Sequence, residues 1–346
     1  MKQTTIRNLK EIAELGLIKL DELERLEKVV NHLPLSVTNQ MLQAINPEDP
    51  NDPIAKQFIP SANELSLTAE ETKDPIGDHL HEKVKGLIHR YPDRCLLTPV
   101  HVCPVYCRFC FRKEVVGNSS GTMSDLELED GFAYIQSHPE IWEVILTGGD
   151  PLILKPQRLK MIIERLNAIP HVEIIRIHTR IPVVDSKRIN SEMVTALKIK
   201  KPVYVLLHAN HPNEFTDEAI RACAMLVDAG IPMLSQSVLL KDINDNVDTL
   251  SSLMKTFLKN RIKPYYLHHA DLAEGTKHFR VSIQKGQELM QALRGKFSGM
   301  CQPTYVLDIP GGYGKIPIGP CYINSTNNNY QIEDYLGKLH HYMDSL

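Results

Sequence analysis

From Cys95 to about Ile318 the chain alternates between short apolar runs rich in β-branched residues and longer segments with apolar residues three and four apart. The runs Leu96–Val100, Val144–Leu146, Ile174–His178, Val203–Leu207, Ile231–Val238, Tyr265–His268 and Thr304–Leu307 read as strands. Between them, Leu126–Ser137, Gln157–Ala168, Ser191–Ile199, Thr216–Ala229, Asn246–Leu258 and Gln284–Arg294 read as helices. Strand and helix alternating at this interval predict βαβ units and a parallel sheet. Polar residues follow strand after strand: Thr147–Asp150, His178–Arg180, His208–Asn213, Gln236, Asp271 and Asp308. A barrel or partial barrel gathers all such strand ends at one mouth, whereas an open sheet concentrates them at one switch point, so the pattern favours the barrel.

The flanks read differently. Residues 1–88 form a charged, helical accessory region, with helical spacing at Leu20–Val30 and breaks at Asn46–Pro53, Pro60 and Pro75. No chemistry is expected there before Arg90. Residues 89–320 hold the alternating domain. Residues 321–346 read as a short tail, with an Asn-rich loop at Asn324–Tyr330 and a terminal helix from about Glu333.

Composition narrows the function little. Hydrophobic residues make up 42% and charged residues 23%, as in ordinary soluble domains. A net charge of −3 gives no basic field for nucleic acid. No apolar run approaches the roughly 18 residues of a membrane span. The polar N-terminus lacks a signal peptide's apolar core, so a cytoplasmic location with reduced thiols is expected.

Seven cysteines are too few, and odd in number, for a disulfide scaffold. Three of them, Cys103, Cys107 and Cys110, form a C-x3-C-x2-C run. Three thiolates this close suit three irons of a [4Fe–4S] cube, leaving the fourth iron open to a chelating small molecule. Thiolates also suit zinc, but a structural zinc site wants a fourth ligand, and His101 is spaced too tightly to supply it.

A second motif, Asp308-Ile-Pro-Gly-Gly-Tyr-Gly-Lys315, places a lysine after a glycine-rich turn. It is not a P-loop, since Ile309 stands at the first glycine position and Ile316 follows the lysine. The lysine is either a Schiff-base partner for pyridoxal 5′-phosphate (PLP) or a solvated surface residue.

The two motifs in this order resemble the lysine 2,3-aminomutase family of radical S-adenosylmethionine (SAM) enzymes. The likeness also takes in His89–Arg94, Leu146–Leu152, Arg176–Val184, His211–Glu214, Gln236–Leu240, Asn244–Asp245, Asp271–Gly275 and His278–Arg280. It implies a partial (β/α) barrel with six core strands. It also implies a [4Fe–4S] cluster on Cys103, Cys107 and Cys110, SAM beside Gly148, Gly149, Asp150 and Gln236, and PLP joined to Lys315. Arg90, Tyr91 and Arg94 would contact the PLP side, where guanidinium suits a phosphate dianion. Arg112 would pair with the substrate carboxylate, and Asp271 and Asp308 with the far ammonium of lysine. The implied reaction is a radical 1,2-amino shift between L-lysine and β-lysine, fed by an external one-electron reductant.

Arg180, by contrast, reads more readily as a structural salt bridge, and His268 and His269 as supporting residues. Larger members of the family carry a C-terminal zinc site at a subunit interface. Only 28 residues follow Ile318 here, with the single Cys321, so no such site is expected and the oligomeric state stays open. The short chain also resembles the branch that makes β-lysine for elongation factor P, although Asp308 and the intact Lys315 loop fit that branch less well. A 2,3-aminomutase for another amino acid, such as glutamate or arginine, is a further alternative. A non-catalytic metal-binding interaction protein is the alternative from another class.

Overall fold

The computed structural model describes residues 5–117, 121–326 and 329–343. Ten strands form one sheet in chain order: β1 (Glu82–Val84), β2 (Leu87–Tyr91), β3 (Arg94–Val100), β4 (Glu143–Gly148), β5 (Ile174–Thr179), β6 (Val203–His208), β7 (Met233–Leu239), β8 (Ile262–His269), β9 (Thr304–Ile309) and β10 (Gly314–Pro317). Strands β3 to β9 pair in parallel, and β1, β2 and β10 add antiparallel edges. The parallel run therefore has seven strands, one more than the six-strand core expected. The extra member is β9, which continues the ladder from Tyr266–His268 and carries Asp308 at its end.

The helices fall where the periodicity places them. Pro156–Ala168 buries Leu159, Ile162, Ile163 and Leu166, and Val247–Lys259 buries Leu250, Leu253, Met254 and Phe257. That i, i+3, i+4, i+7 stripe seals each helix against the sheet, at about 1.5–3 kcal/mol per fully buried side chain. Ser124, Asn190, Thr216, Asn246 and Ser282 each cap a helix by accepting from the backbone N–H three residues on. Each cap adds about 1 kcal/mol and fixes where the loop from a strand end stops.

The ends of the sheet do not pair with each other, so the barrel is partial. Two side chains bridge the gap. Lys315 N on β10 donates to the hydroxyl of Tyr91 on β2 at 2.7 Å, and His81 Nε2 lies 3.0 Å from Gly312 O. Gly314 is required here: it has φ +90°, and a Cβ would strike the Tyr91 ring.

The N-terminal region contributes the helices Leu9–Glu14, Leu23–His32, Asn39–Ala44 and Pro53–Phe58. It clamps the cysteine loop through backbone bonds from Tyr106 to Ser36 and from Arg108 to Gln57, each 2.9 Å. Arg108, fully buried between two of the cysteines, pairs with Glu64 at 2.6 Å and donates to Leu33 O and Pro34 O. Breaking such a pair from one side costs about 3–5 kcal/mol.

The tail corrects the sequence reading. Instead of a loop and a helix it forms an antiparallel sheet of β11 (Ile323–Thr326), β12 (Asn329–Glu333) and β13 (Leu339–Met343). The cause is a turn: Asp334 Oδ1 accepts from Leu336 N and Lys338 N at 2.8 and 2.9 Å, and Gly337 takes φ +80°. Such a turn reverses the chain where a helix would have to continue. No helix among the described residues is long and apolar enough to cross a membrane.

Candidate active site

A cavity of about 520 Å³ opens at the carboxyl ends of the parallel strands. Its lining includes Cys103, Cys107 and Cys110, Gly148, Gly149, Asp150 and Gln236, Arg90, Tyr91, Arg94, Arg112, Asp271, Asp308 and Lys315. The structure thus brings every singled-out residue to one chamber, from sequence positions more than 200 apart.

The cysteine loop follows β3. Gly149 lies against it so closely that a Cβ would collide with the Val102 backbone. Gly149 N donates to Val100 O at 2.7 Å and Asp150 N to Val102 O at 3.0 Å, so this turn fastens the cysteine loop to β4. All three thiols are free. Burial pushes Cys110 up to about 12, Cys103 well above the usual thiol value, and Cys107 upward. Arg180 opposes the effect at Cys107 by donating Nη1 to its Sγ at 2.9 Å. Metal binding would release the thiol protons and supply the missing charge compensation. No group of three or more His, Cys, Asp or Glu among the described residues would hold a single metal ion. Three thiols on one loop suit a cluster, whose irons take one cysteine each.

Asp150 is buried and already engaged. Thr179 Oγ1 and Arg180 N donate to it at 2.7 Å, and Leu152 N at 3.1 Å. Burial nevertheless pushes it up to about 6. Arg180 pairs with buried Glu214 at 2.5 Å and with Gln57 at 3.0 Å. The salt-bridge reading of Arg180 holds, and its contact with Cys107 is an addition.

The opposite half of the cavity is ionic. Asp308 and Lys315 stand opposite each other in the β9–β10 hairpin, where side chains share a face. Lys315 Nζ lies 2.9 and 2.8 Å from the Asp308 oxygens, and Arg90 Nη1 lies 3.7 Å away. Arg94 stacks over the Tyr91 ring at 3.8 Å and pairs with Asp93. Asp271 is surrounded by protein but keeps one side open to the cavity. Burial, followed by the Asp308 charge, pushes it up to about 7. His268, 3.9 Å from Asp308, is pushed down to about 3 by burial and then by Lys315, so it is neutral.

Some lining residues fall outside the set of site residues expected from the sequence. Asp78, from the region where no chemistry is expected before Arg90, lines the chamber and bridges Arg90 and Arg112. His178 and His208 also line the chamber, and burial pushes both well below the usual histidine range. Their Nε2 atoms, and Nε of Arg90, are buried without a protein partner. An unpaired buried polar atom costs about 1–3 kcal/mol, so the cavity is built for a polar ligand. The histidines' positions at strand ends were visible in the sequence. Asp78, in an ordinary Pro-Ile-Gly-Asp turn, gave no signal.

A mostly parallel partial barrel with three cysteines on the loop after its first parallel strand defines the radical SAM class, and the Radical SAM superfamily model matches residues 97–253. A second model, Lysine-2,3-aminomutase, matches residues 290–344. The chain is 42% identical to the L-lysine 2,3-aminomutase of Clostridium subterminale, over 94% of this chain and 78% of that one. It is also 42% identical to the enzyme of that name from Acetoanaerobium sticklandii, over 89% and 75%. It is 37% identical to the glutamate 2,3-aminomutase of Clostridioides difficile, over 92% and 75%. The chain belongs to the lysine 2,3-aminomutase family, radical SAM isomerases that work with a [4Fe–4S] cluster, SAM and PLP.

Proposed function

We propose that the protein interconverts L-lysine and β-lysine by moving the 2-amino group to carbon 3. The observation that carries this reading is the pair of carboxylates, Asp271 and Asp308, in one chamber with Arg112, Lys315 and the three thiols. A buried ammonium is costly unless carboxylates stand against it. Asp308 already holds a primary ammonium of the same chemistry, that of Lys315, at 2.8 Å. A glutamate side chain would instead add a third negative charge beside the pair. This argues for lysine over glutamate.

Cys103, Cys107 and Cys110 would hold the cluster, and Gly148, Gly149, Asp150 and Gln236 would flank SAM. Arg90, Tyr91 and Arg94 would face the PLP phosphate, with Lys315 as its covalent anchor. When bound, the cluster and SAM supply a hydrogen-abstracting radical, and PLP spreads the unpaired electron.

The chain itself positions and protects. Arg112 would take the α-carboxylate while Asp271 and Asp308 take the far ammonium, so the substrate is gripped at both ends and the carbons between are fixed. Asp308, 2.8 Å from Lys315 Nζ, orients the Lys315 side chain in the chamber. Phe109, Phe111, Val238 and Phe279 give the chamber an apolar wall against water. The unpaired cysteines suit a reducing cytoplasm, where an external one-electron donor would serve the cluster.

The test is anaerobic reconstitution with iron, sulfide, SAM and PLP, followed by product analysis with lysine, glutamate and arginine. β-Lysine should form and β-glutamate should not. Turnover of glutamate with lysine inert would overturn the reading.

A further inference from the structure

Asp78 spends both carboxylate oxygens on the two arginines assigned to different ligands. Oδ2 accepts from Arg112 Nε and Nη2 at 3.0 and 2.8 Å, and Oδ1 accepts from Arg90 Nη2 at 2.8 Å. The turn that carries it is itself held. Asp78 N donates to Asp74 Oδ1 at 2.9 Å, and His81 Nε2 sits 3.0 Å from Gly312 O. Gly77 packs so tightly on Gly311 and Gly312 that a Cβ there would overlap their backbone. The turn at 74–81 is therefore locked to the Lys315 loop on one side and to both arginines on the other.

The donor geometry has a consequence for the substrate end of the cavity. A guanidinium has five N–H donors. Asp78 takes Nε–H of Arg112 and one on Nη2, and Thr147 Oγ1 lies 3.4 Å from Nη1. The edge left for a ligand carboxylate is the end-on pair, Nη1 and Nη2. On Arg90, Nη2 is fixed by Asp78 and by Ile76 O at 2.7 Å, which leaves Nε unpartnered. Without Asp78, two long side chains would regain rotamer freedom and two like charges would lose the anion between them.

We infer that Asp78 is a positioning residue that presents Arg112 end-on to the substrate carboxylate and ties that arginine to Arg90 on the cofactor side. This rests on the roles proposed above for Arg112 and Arg90. Asp78 would act through the two arginines. Substrate anchoring and cofactor anchoring are thereby coupled through one carboxylate from the N-terminal region.

The test reads binding. Holoenzyme carrying Asp78→Asn, Arg112→Ala or both is titrated anaerobically with lysine in the absence of SAM, following the PLP absorbance, and PLP affinity is measured separately. Iron content and melting temperature report folding. Asp78→Asn should weaken lysine about ten- to hundredfold, the loss expected when charged hydrogen bonds go. It should weaken PLP as well, and change kcat less than KM. In the Arg112→Ala background it should add no further loss of lysine affinity. Multiplying losses in the double variant, or unchanged lysine affinity in Asp78→Asn, would overturn the inference. If Arg112→Ala alone binds lysine normally, the assignment of Arg112 fails, and the inference falls with it for that separate reason. Asp78→Glu, which moves the charge by one methylene, serves the same comparison if Asp78→Asn does not fold.

Discussion

Replacing Asp308 with asparagine removes a charge from the acidic half of the cavity with little change in shape. The carboxylate is 6% exposed. Its oxygens stand 2.9 and 2.8 Å from Lys315 Nζ, 3.7 Å from Arg90 Nη1 and 3.9 Å from His268 Nδ1. Because burial keeps His268 neutral, the positive charge facing Asp308 is that of Lys315 and Arg90. Removing one partner of a buried ion pair costs about 3–5 kcal/mol, which is about two to four orders of magnitude in an equilibrium constant. In the resting site the loss falls on the Lys315–Asp308 pair, while the Lys315 amine itself stays in place. Capture of PLP by Lys315 should therefore survive. In the substrate complex the loss falls on the incoming ammonium. Steady-state assays should show kcat/KM for lysine down by about two to four orders of magnitude. Iron content and borohydride trapping of PLP at Lys315 should stay at wild-type levels. A variant whose kcat/KM stays within about threefold of wild type would refute the reasoning, because no charge loss at a buried ammonium site is that small.

Alanine at Cys103, Cys107 or Cys110 should each abolish iron uptake in anaerobic reconstitution with little change in melting temperature, whereas Cys321→Ala should keep its iron; loss of iron in Cys321→Ala would show that the cluster ligands are misassigned. Borohydride reduction of the holoenzyme followed by peptide mapping should find PLP on Lys315, and Lys315→Ala should trap none; an adduct on another lysine removes the anchor from this loop. Asp271, pushed up to about 7, is protonated in the folded protein across a range where the unfolded chain is ionised, so its contribution to stability is present at low pH and is lost as pH rises through about 7. Its ammonium-binding form exists only on the alkaline side, so KM for lysine should fall as pH rises from about 6 to about 8 and the profile should flatten in Asp271→Asn; an identical profile in that variant would assign the titration elsewhere.

Much of this architecture is written in local pattern. The seven parallel strands announce themselves as short runs, β-branched in most and aromatic in Tyr265–His268, residue types that pack well on a pleated sheet. The end that carries the site follows, since polar residues such as His178 and Asp308 sit at the last positions of their strands. The cysteine run and the Lys315 loop are local motifs with fixed spacing. What escaped depends on contacts distant in sequence. Asp78 acts on residues 12 and 34 positions away, and nothing in its own surroundings marks it. The Asp308–Lys315 pair follows from hairpin register: the glycine-rich turn is visible in the sequence, but its second strand, Gly314–Pro317, is too short to show there. The terminal sheet was missed for a related reason. Its strands are short and largely polar, and the Asp334–Lys338 turn outweighs their helical residues.

The central claim is that an amino group migrates between adjacent carbons of lysine, and isotope-edited NMR reads this migration directly. The reconstituted enzyme would be given L-lysine carrying ¹⁵N at the 2-amino group and ¹³C at carbon 3. Migration creates a ¹³C–¹⁵N bond that the substrate lacks, so a one-bond coupling should grow at carbon 3 as β-lysine accumulates, and no such signal should arise from labelled glutamate. Lysine returned with its nitrogen still on carbon 2, from an enzyme with full iron and PLP, would contradict the account.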